Sequence, residues 1–124
     1  MIAAGCGAVH RVTSGDPATG KQLFIQKCGS CHTLAAAGTK GTIGPNLDDA
    51  FAADKAAPFA SKGTVQTIRD IVRGQIAYPE SDPGTGHAGM TPNLLHGTQA
   101  KDVSVFVAEC AAVPNCHPGS TASN

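Results

Sequence analysis

The amino-acid sequence predicts an all-α domain in which long loops connect the helices. In three segments, apolar residues recur at helical spacing between recognisable start and stop signals. No segment alternates apolar and polar residues as a half-buried strand does. Loops are indicated by 15 glycines and 8 prolines among 124 residues, a length that predicts one compact domain.

The first predicted helix begins at Asp16. Asp16 is a natural N-cap, and Pro17 suits the first helical position, where its missing N–H costs nothing. Leu23 and Phe24 follow at helical spacing, and Gly20 lies one turn before Phe24 on the same face. Because a glycine inside a helix costs about 1 kcal/mol relative to alanine, Gly20 indicates a close contact with another backbone.

Two more helices are predicted further along the chain. The second spans about 64–75, begins at Thr64 as its cap, and carries one apolar stripe of Val65, Ile68, Val72 and Ile76. The third spans about 99–112, with Phe106 on its inner face. The glycine-rich and proline-rich segments 38–45 and 77–97 are predicted loops, and a loop as long as the second is usually functional.

The composition leaves this domain short of core residues. Leu, Ile, Val and Phe together number 23 of 124, and Trp is absent. Nine basic and nine acidic residues cancel, so the charge does not favour disorder. Something other than side chains is therefore expected in the interior. Zero net charge with few aromatic residues argues against nucleic-acid binding, and no apolar stretch approaches the ~18 residues of a spanning helix.

The segment Cys28-Gly29-Ser30-Cys31-His32 matches C-x-x-C-H, the attachment pattern of c-type haem. Two thiols separated by a short loop can each add to a vinyl group on one edge of the porphyrin, which forms two thioethers. His32, next in sequence, can then reach the iron as the proximal ligand. The sequence therefore predicts one haem c, covalently bound through Cys28 and Cys31.

Two other interpretations of the cysteines fit the sequence less well. A thioredoxin-like dithiol belongs on a βαβ framework, which this sequence lacks. A zinc site would need a second ligand pair, for which Cys110 and Cys116 are available. However, the neighbours Cys31 and His32 could hardly serve one tetrahedral ion together.

These features together resemble the class I cytochrome c family over roughly residues 16–112. That family has a glycine and an aromatic residue before the haem motif, and a crossing C-terminal helix that bears an aromatic residue. It also has a Gly-Pro segment after the motif and a methionine in a proline-containing loop before the last helix. The matching residues here are Gly20, Phe24, Phe106, Gly44, Pro45 and Met90. The resemblance implies a cytochrome c fold, with three to five helices around a covalently attached haem.

The resemblance also implies a role for particular residues. His32 would ligate the iron, and the Pro45 carbonyl would accept a hydrogen bond from its other ring nitrogen, which fixes the ring. Met90 would be the distal ligand, and it is the only methionine besides the first residue. His87 and His96 are the alternatives, given the affinity of imidazole for iron.

The remaining polar candidates have weaker signals. Gln75 and Tyr78 fall where the chain could approach a haem propionate, since tyrosine offers an O–H donor on an apolar ring. His10 and His117 lie in the terminal segments and are predicted to be exposed.

Three cysteines lie outside the haem motif. A disulfide between Cys110 and Cys116 is the first expectation, and a pairing of Cys6 with either of them is the alternative. Ala3-Ala4-Gly5-Cys6 resembles a lipobox without its usual leucine, so Cys6 could carry a membrane anchor. The N-terminal segment is too short for a signal peptide. Export information is therefore expected to have been removed, or the chain is a piece of a longer protein.

The sequence thus predicts an N-terminal extension (1–15), a cytochrome c domain (16–113) and a C-terminal tail (114–124). The expected function is one-electron transfer by a His/Met-ligated haem, as a carrier or as a domain or subunit of a respiratory chain, and not enzymatic catalysis. Expected partners are redox proteins such as a membrane reductase and oxidase, in an extracytoplasmic location. The alternative function is a haem enzyme or gas-binding sensor with an open or labile distal site.

Overall fold

The computed structural model describes residues 12, 14–56, 61–79 and 89–119. Within these residues the chain forms four helices: α1 (Pro17–Lys27), α2 (Leu47–Lys55), α3 (Lys62–Ala77) and α4 (Gly97–Cys110). Between α1 and α2, β1 (Thr33–Leu34) and β2 (Thr39–Lys40) form a small antiparallel sheet, with one turn of 3-10 helix between them. The all-α prediction is confirmed, although β2 lies inside the segment predicted to be only loop.

Helices α1 and α4 cross closely at the centre of the core. Phe24 and Phe106, both buried, meet edge to face with ring centroids 5.9 Å apart. A Cβ added to Gly20 would lie 2.0 Å from the Asp102 carbonyl oxygen, so only glycine permits this approach. Asp16 caps α1 by accepting hydrogen bonds from the first-turn amides, as predicted. The close backbone contact predicted at Gly20 is therefore present.

Helix α3 begins earlier than the sequence analysis predicts. Ser61 is its N-cap, and the Ser61 hydroxyl accepts a hydrogen bond from the Thr64 amide at 3.1 Å. Thr64 therefore occupies the third helical position and does not cap the helix.

Helix α3 also holds the segment that precedes α1. Val12 in that segment is buried, and its amide donates to the Asp70 carboxylate of α3 at 2.8 Å. Gln66 donates to the Val12 carbonyl, so two side chains of α3 hold this segment.

Helix α2 is absent from the sequence prediction. Asn46 caps it by accepting from two first-turn amides, and only Phe51 among its residues is fully buried. The Asp48 carboxylate accepts hydrogen bonds from the amides of Ala35 and Ala112. Asp48 thus links the segment after the haem motif to the end of α4.

Lys55, at the end of α2, binds the C-terminus of α4. Its ammonium group donates to the carbonyls of Ala108 and Ala111, which are free of helical partners at this end of α4. Burial lowers the pKa of Lys55 to about 8, although the charges of Asp48 and Glu109 partly offset this effect. The folded protein therefore binds the Lys55 proton less tightly than an unfolded chain does.

This pKa predicts that stability rises with pH in the alkaline range. Because the folded-state pKa lies below the ordinary value of 10.5, the unfolded chain binds more protons between these values, and the free energy of unfolding increases from about pH 8 towards pH 10.5. Urea unfolding at several pH values should show this rise in the unaltered protein and a smaller one in Lys55→Met. Equal pH slopes for the two proteins would contradict the assignment.

The end of α4 is also closed by a disulfide. Cys110 and Cys116 are bonded, as the sequence analysis predicts first, with six residues of sequence separation. Glu109 accepts a hydrogen bond from the Gly119 amide, which holds the following residues against the helix. Because the two cysteines are bonded to each other, neither is available as a thiolate for the zinc site considered above.

Several predictions about the N-terminal region lie outside the described residues. These are the exposure of His10, the state of Cys6 and the lipobox resemblance of residues 3–6. Among helices in the described parts of the chain, none combines the length and apolar character needed to cross a membrane.

Candidate haem site

The C-x-x-C-H motif forms one tight turn directly after α1. The Cys28 amide donates to the Phe24 carbonyl at 2.8 Å, which closes the helix. The amides of Cys31 and His32 then both donate to the Cys28 carbonyl, at 3.1 and 3.0 Å. This turn brings both thiols and the imidazole into one short stretch at the end of a helix whose other face is fixed against α4.

The small sheet and its continuation hold this turn. The Thr39 hydroxyl donates to the His32 carbonyl at 2.9 Å, and the Gly44 amide donates to the Cys31 carbonyl at 2.7 Å. The Thr33 hydroxyl donates to the Gly41 carbonyl at 2.8 Å. Two of these contacts fall on the carbonyls of the motif itself, so the hairpin after the motif positions its backbone.

The His32 ring is oriented by the Gly-Pro segment. Its Nδ1 lies 2.8 Å from the Pro45 carbonyl oxygen. Since a carbonyl can only accept, Nδ1 carries the proton, and the lone pair of Nε2 is left for a metal. A Cβ on Gly44 would lie 2.5 Å from Cε1 of the ring, so glycine allows the segment to approach this closely. The hydrogen bond predicted for Pro45 is present.

Neither motif cysteine takes part in a disulfide, and Cys28 is buried. Burial, with a smaller effect from Cys31, raises the pKa of the Cys28 thiol to about 11. Reactive dithiols depend on a thiol whose pKa is lowered, because the thiolate is the nucleophile. The environment of Cys28 therefore argues against the thioredoxin-like interpretation.

Of the three candidate distal ligands, Met90 is the one packed against the core in the described part of the chain. Its side chain is partly buried and contacts the same hydrophobic cluster that contains Cys28. Its loop is tied to the end of α3 by a hydrogen bond from the Asn93 amide to the Ile76 carbonyl, at 2.9 Å. His96 is the exposed residue before α4, and His87 lies outside the described residues.

The other candidate polar residues lie at the end of α3 and after α4. Tyr78 is 73% exposed and follows the last residue of α3, and Gln75 is partly buried on that helix. His117 is exposed, as predicted. Thr39, whose hydroxyl also accepts from the Leu34 amide, was not predicted as a site residue from the sequence. Its one available signal was its place directly after the left-handed Gly38 of a turn.

Taken together, the residues of the site fit haem c. The motif turn supplies two thiols, and the Pro45 contact leaves Nε2 of His32 free to bind iron. Met90 packs against the hydrophobic cluster that contains Cys28. Several apolar side chains pack against the core while remaining partly exposed: Leu23, Leu47, Val65 and Val72. This is the donor set and apolar surroundings that a covalently bound haem requires.

Comparison with known proteins agrees with this geometry. The cytochrome c family model matches residues 17–111. The chain is also similar in structure to the c-type cytochrome SorU from Sinorhizobium meliloti, with a TM-score of 0.54 and 25% identity. That match covers 77% of this chain and 91% of SorU. The chain belongs to the cytochrome c family, carries covalently bound haem c, and functions in haem-based electron transfer.

Proposed function

We propose that this protein is a one-electron carrier whose haem c is attached through Cys28 and Cys31 and ligated by His32 and Met90. It acts as a free carrier or as a domain or subunit of a respiratory chain. The observation that carries the proposal is the 2.8 Å contact between Nδ1 of His32 and the Pro45 carbonyl. It supports His32 as a ligand, because such a contact fixes the ring and raises the basicity of its other nitrogen.

The bound haem supplies a reversible one-electron iron couple. Within the site, His32 is held in one tautomer, and Met90 offers a soft thioether that favours the reduced iron and raises the reduction potential. The buried residues around Phe24 and Leu34 exclude water and lower the local dielectric constant. If His32 and Met90 both bind the iron, no coordination site would be left for a substrate, which would favour a carrier over an enzyme.

Met90 ligation is tested by the far-red absorption band of a methionine sulfur bound to ferric haem. At neutral pH the unaltered oxidised protein is expected to show this band, and Met90→Ala is expected to lose it and to have a lower reduction potential. His96→Ala, a matched control in the same region, should keep both. Absence of the band in the unaltered protein would contradict Met90 ligation. Rapid carbon monoxide binding to the reduced protein would then favour the enzyme or gas-sensor alternative.

The surface near the motif supports docking through apolar contacts. Ile43 is 76% exposed beside the Gly-Pro segment, and Ile25 is 42% exposed on α1. The exposed cations Lys27 and Lys40 lie near the motif in sequence, but Asp49 is also exposed, and the net charge of the chain is zero. We infer redox-protein partners, such as a membrane reductase and oxidase, that bind through this apolar surface. The proposed location is extracytoplasmic, where c-type cytochromes are generally found.

This surface predicts a weak dependence of electron exchange on ionic strength. Between low and physiological salt, the bimolecular rate with the native partner is expected to change by less than about threefold, because no strong field of one sign steers the encounter. Stopped-flow measurements over a salt series provide the test. A fall of about tenfold or more would show that charged contacts, and not the apolar surface, direct docking.

A further inference from the structure

Thr39, the first residue of β2, contacts both ends of the haem-motif turn. Its hydroxyl donates to the carbonyl of His32, the last residue of the motif, at 2.9 Å. Its methyl group lies beside Gly29, the second residue of the motif, where an added Cβ would come within 2.6 Å of that methyl carbon. One side chain outside the motif therefore reaches from the start of the turn to its end.

The hydroxyl of Thr39 is used as a donor and as an acceptor. While it donates to the His32 carbonyl, it accepts from the Leu34 amide at 3.1 Å. A hydroxyl has one hydrogen and two lone pairs, so it can make both contacts at once, which an aliphatic side chain cannot. Leu34 is fully buried. The hydroxyl thus links the backbone of the histidine to a residue of the core.

Thr39 and Pro45 fix different parts of His32. The Pro45 carbonyl lies 2.8 Å from Nδ1 of the ring, whereas Thr39 holds the backbone carbonyl of the same residue. The Cys31 carbonyl, one residue earlier, accepts from the Gly44 amide. A ring that is held only at its edge still moves with its backbone. Both contacts are therefore needed to keep Nε2 in one place.

We propose that Thr39 is a positioning residue for electron transfer, which limits the movement of His32 when the iron changes its oxidation state. The inference rests on the proposed function, in which His32 ligates the iron. Electron transfer is fast when the ligands of a metal move little between its two states, because their rearrangement is part of the barrier. Loss of a group that orients a metal ligand lowers activity by roughly 10- to 100-fold.

The test compares Thr39→Val with the unaltered holoprotein, since valine keeps the methyl group beside Gly29 and removes the hydroxyl. The first quantity is the rate of electron self-exchange, measured from NMR line widths in mixtures of oxidised and reduced protein, which requires no partner. The second is the position of the hyperfine-shifted ring signals of His32 in the oxidised protein, which reports the orientation of the ring. Thr39→Val is expected to slow self-exchange by about tenfold and to shift the ring signals.

Two further variants isolate the effect of the hydroxyl. Thr39→Ser keeps the hydroxyl and should restore both quantities. Thr42→Val removes a hydroxyl from an exposed position in the same segment and should leave both unchanged. Urea unfolding is measured on all three variants. A role confined to stability would lower the free energy of unfolding of Thr39→Val and leave self-exchange and the ring signals of the folded holoprotein as they are, which would contradict the proposal.

Thr39→Ala replaces Thr39→Val in the comparison with Thr39→Ser where the valine variant does not accumulate with haem. Unchanged self-exchange and ring signals in the variant without the hydroxyl would overturn the proposal. Failure of Thr39→Ser to carry haem, or to restore both quantities, would overturn it as well. If the unaltered oxidised protein shows no hyperfine-shifted ring signals of His32, the histidine does not ligate the iron, and the proposed function is itself wrong.

Discussion

A chain in which alanine replaces both Cys28 and Cys31 is expected to be largely unfolded. Leu, Ile, Val and Phe make up only 23 of 124 residues, and the apolar faces of α2 and α3 include partly exposed Leu47, Val65 and Val72. A covalently held haem stays attached in the unfolded chain, so it stabilises the folded state through the apolar surface that becomes buried against it there. Losing the haem is expected to cost more free energy than the whole stability of a domain of this size, which is roughly 5 to 15 kcal/mol.

The matched control removes two cysteines elsewhere. Cys110→Ala combined with Cys116→Ala deletes the disulfide but leaves the haem motif intact, and loop closure over so short a span contributes only about 2 kcal/mol. Far-UV circular dichroism with urea titration should show a cooperative transition in this control. The variant without motif cysteines should show low helicity and no transition. A cooperative transition in that haem-free variant would mean that the polypeptide core suffices for folding.

The parts of the site that could be predicted from sequence are those fixed by local chemistry. The spacing of Cys28, Cys31 and His32 defines the haem motif without reference to the rest of the fold. Asp16 and Pro17 mark the start of α1 by the hydrogen bonds that a first helical turn requires. Gly20 indicated a backbone crossing because glycine is otherwise unfavourable inside a helix. In each case the signal lies within a few residues of the feature.

The features that the sequence analysis missed depend on contacts between distant segments. Helix α2 has one fully buried residue, Phe51, and follows a Gly-Pro segment, so its periodicity is too weak to detect. It is held by Asp48 and Lys55, whose hydrogen bonds reach residues 53 to 64 positions later in the chain. The strand pair spans two residues on each side, too short for any alternation, and the Thr39 hydroxyl supports it instead.

Arg69 and Arg73 illustrate the same limit for charged residues. Neither residue stands out in the sequence from the other charged residues of the chain. Only the fold shows that one nitrogen of each is buried without a partner among the described residues. Tyr78, chosen from its position before the methionine loop, is largely exposed. Burial of a charged group depends on how helices pack, which no local pattern encodes.

Replacing Gly20 with alanine is expected to be the most damaging single-methyl change in the described core. The new Cβ would lie 2.0 Å from the Asp102 carbonyl oxygen and 2.9 Å from Cβ of Phe106. Backbone cannot yield as a flexible side chain can, so α1 and α4 must separate. Overpacking of this kind costs about 3 kcal/mol or more. Urea unfolding of the holoprotein measures the loss.

Gly74 provides the matched control for Gly20→Ala, because it lies inside α3 and a Cβ there would meet nothing within 4 Å. Gly74→Ala should therefore gain up to about 1 kcal/mol in the free energy of unfolding from helix propensity.

The two variants should also differ in the geometry of the haem ligands. Helix α1 ends at Lys27, directly before the motif, and the Met90 loop leads into α4. Separating these helices would therefore shift the motif relative to Met90. Gly20→Ala should weaken the far-red band, and Gly74→Ala should retain it. Equal bands and equal unfolding free energies would show that the α1 and α4 crossing does not set the geometry of the haem ligands.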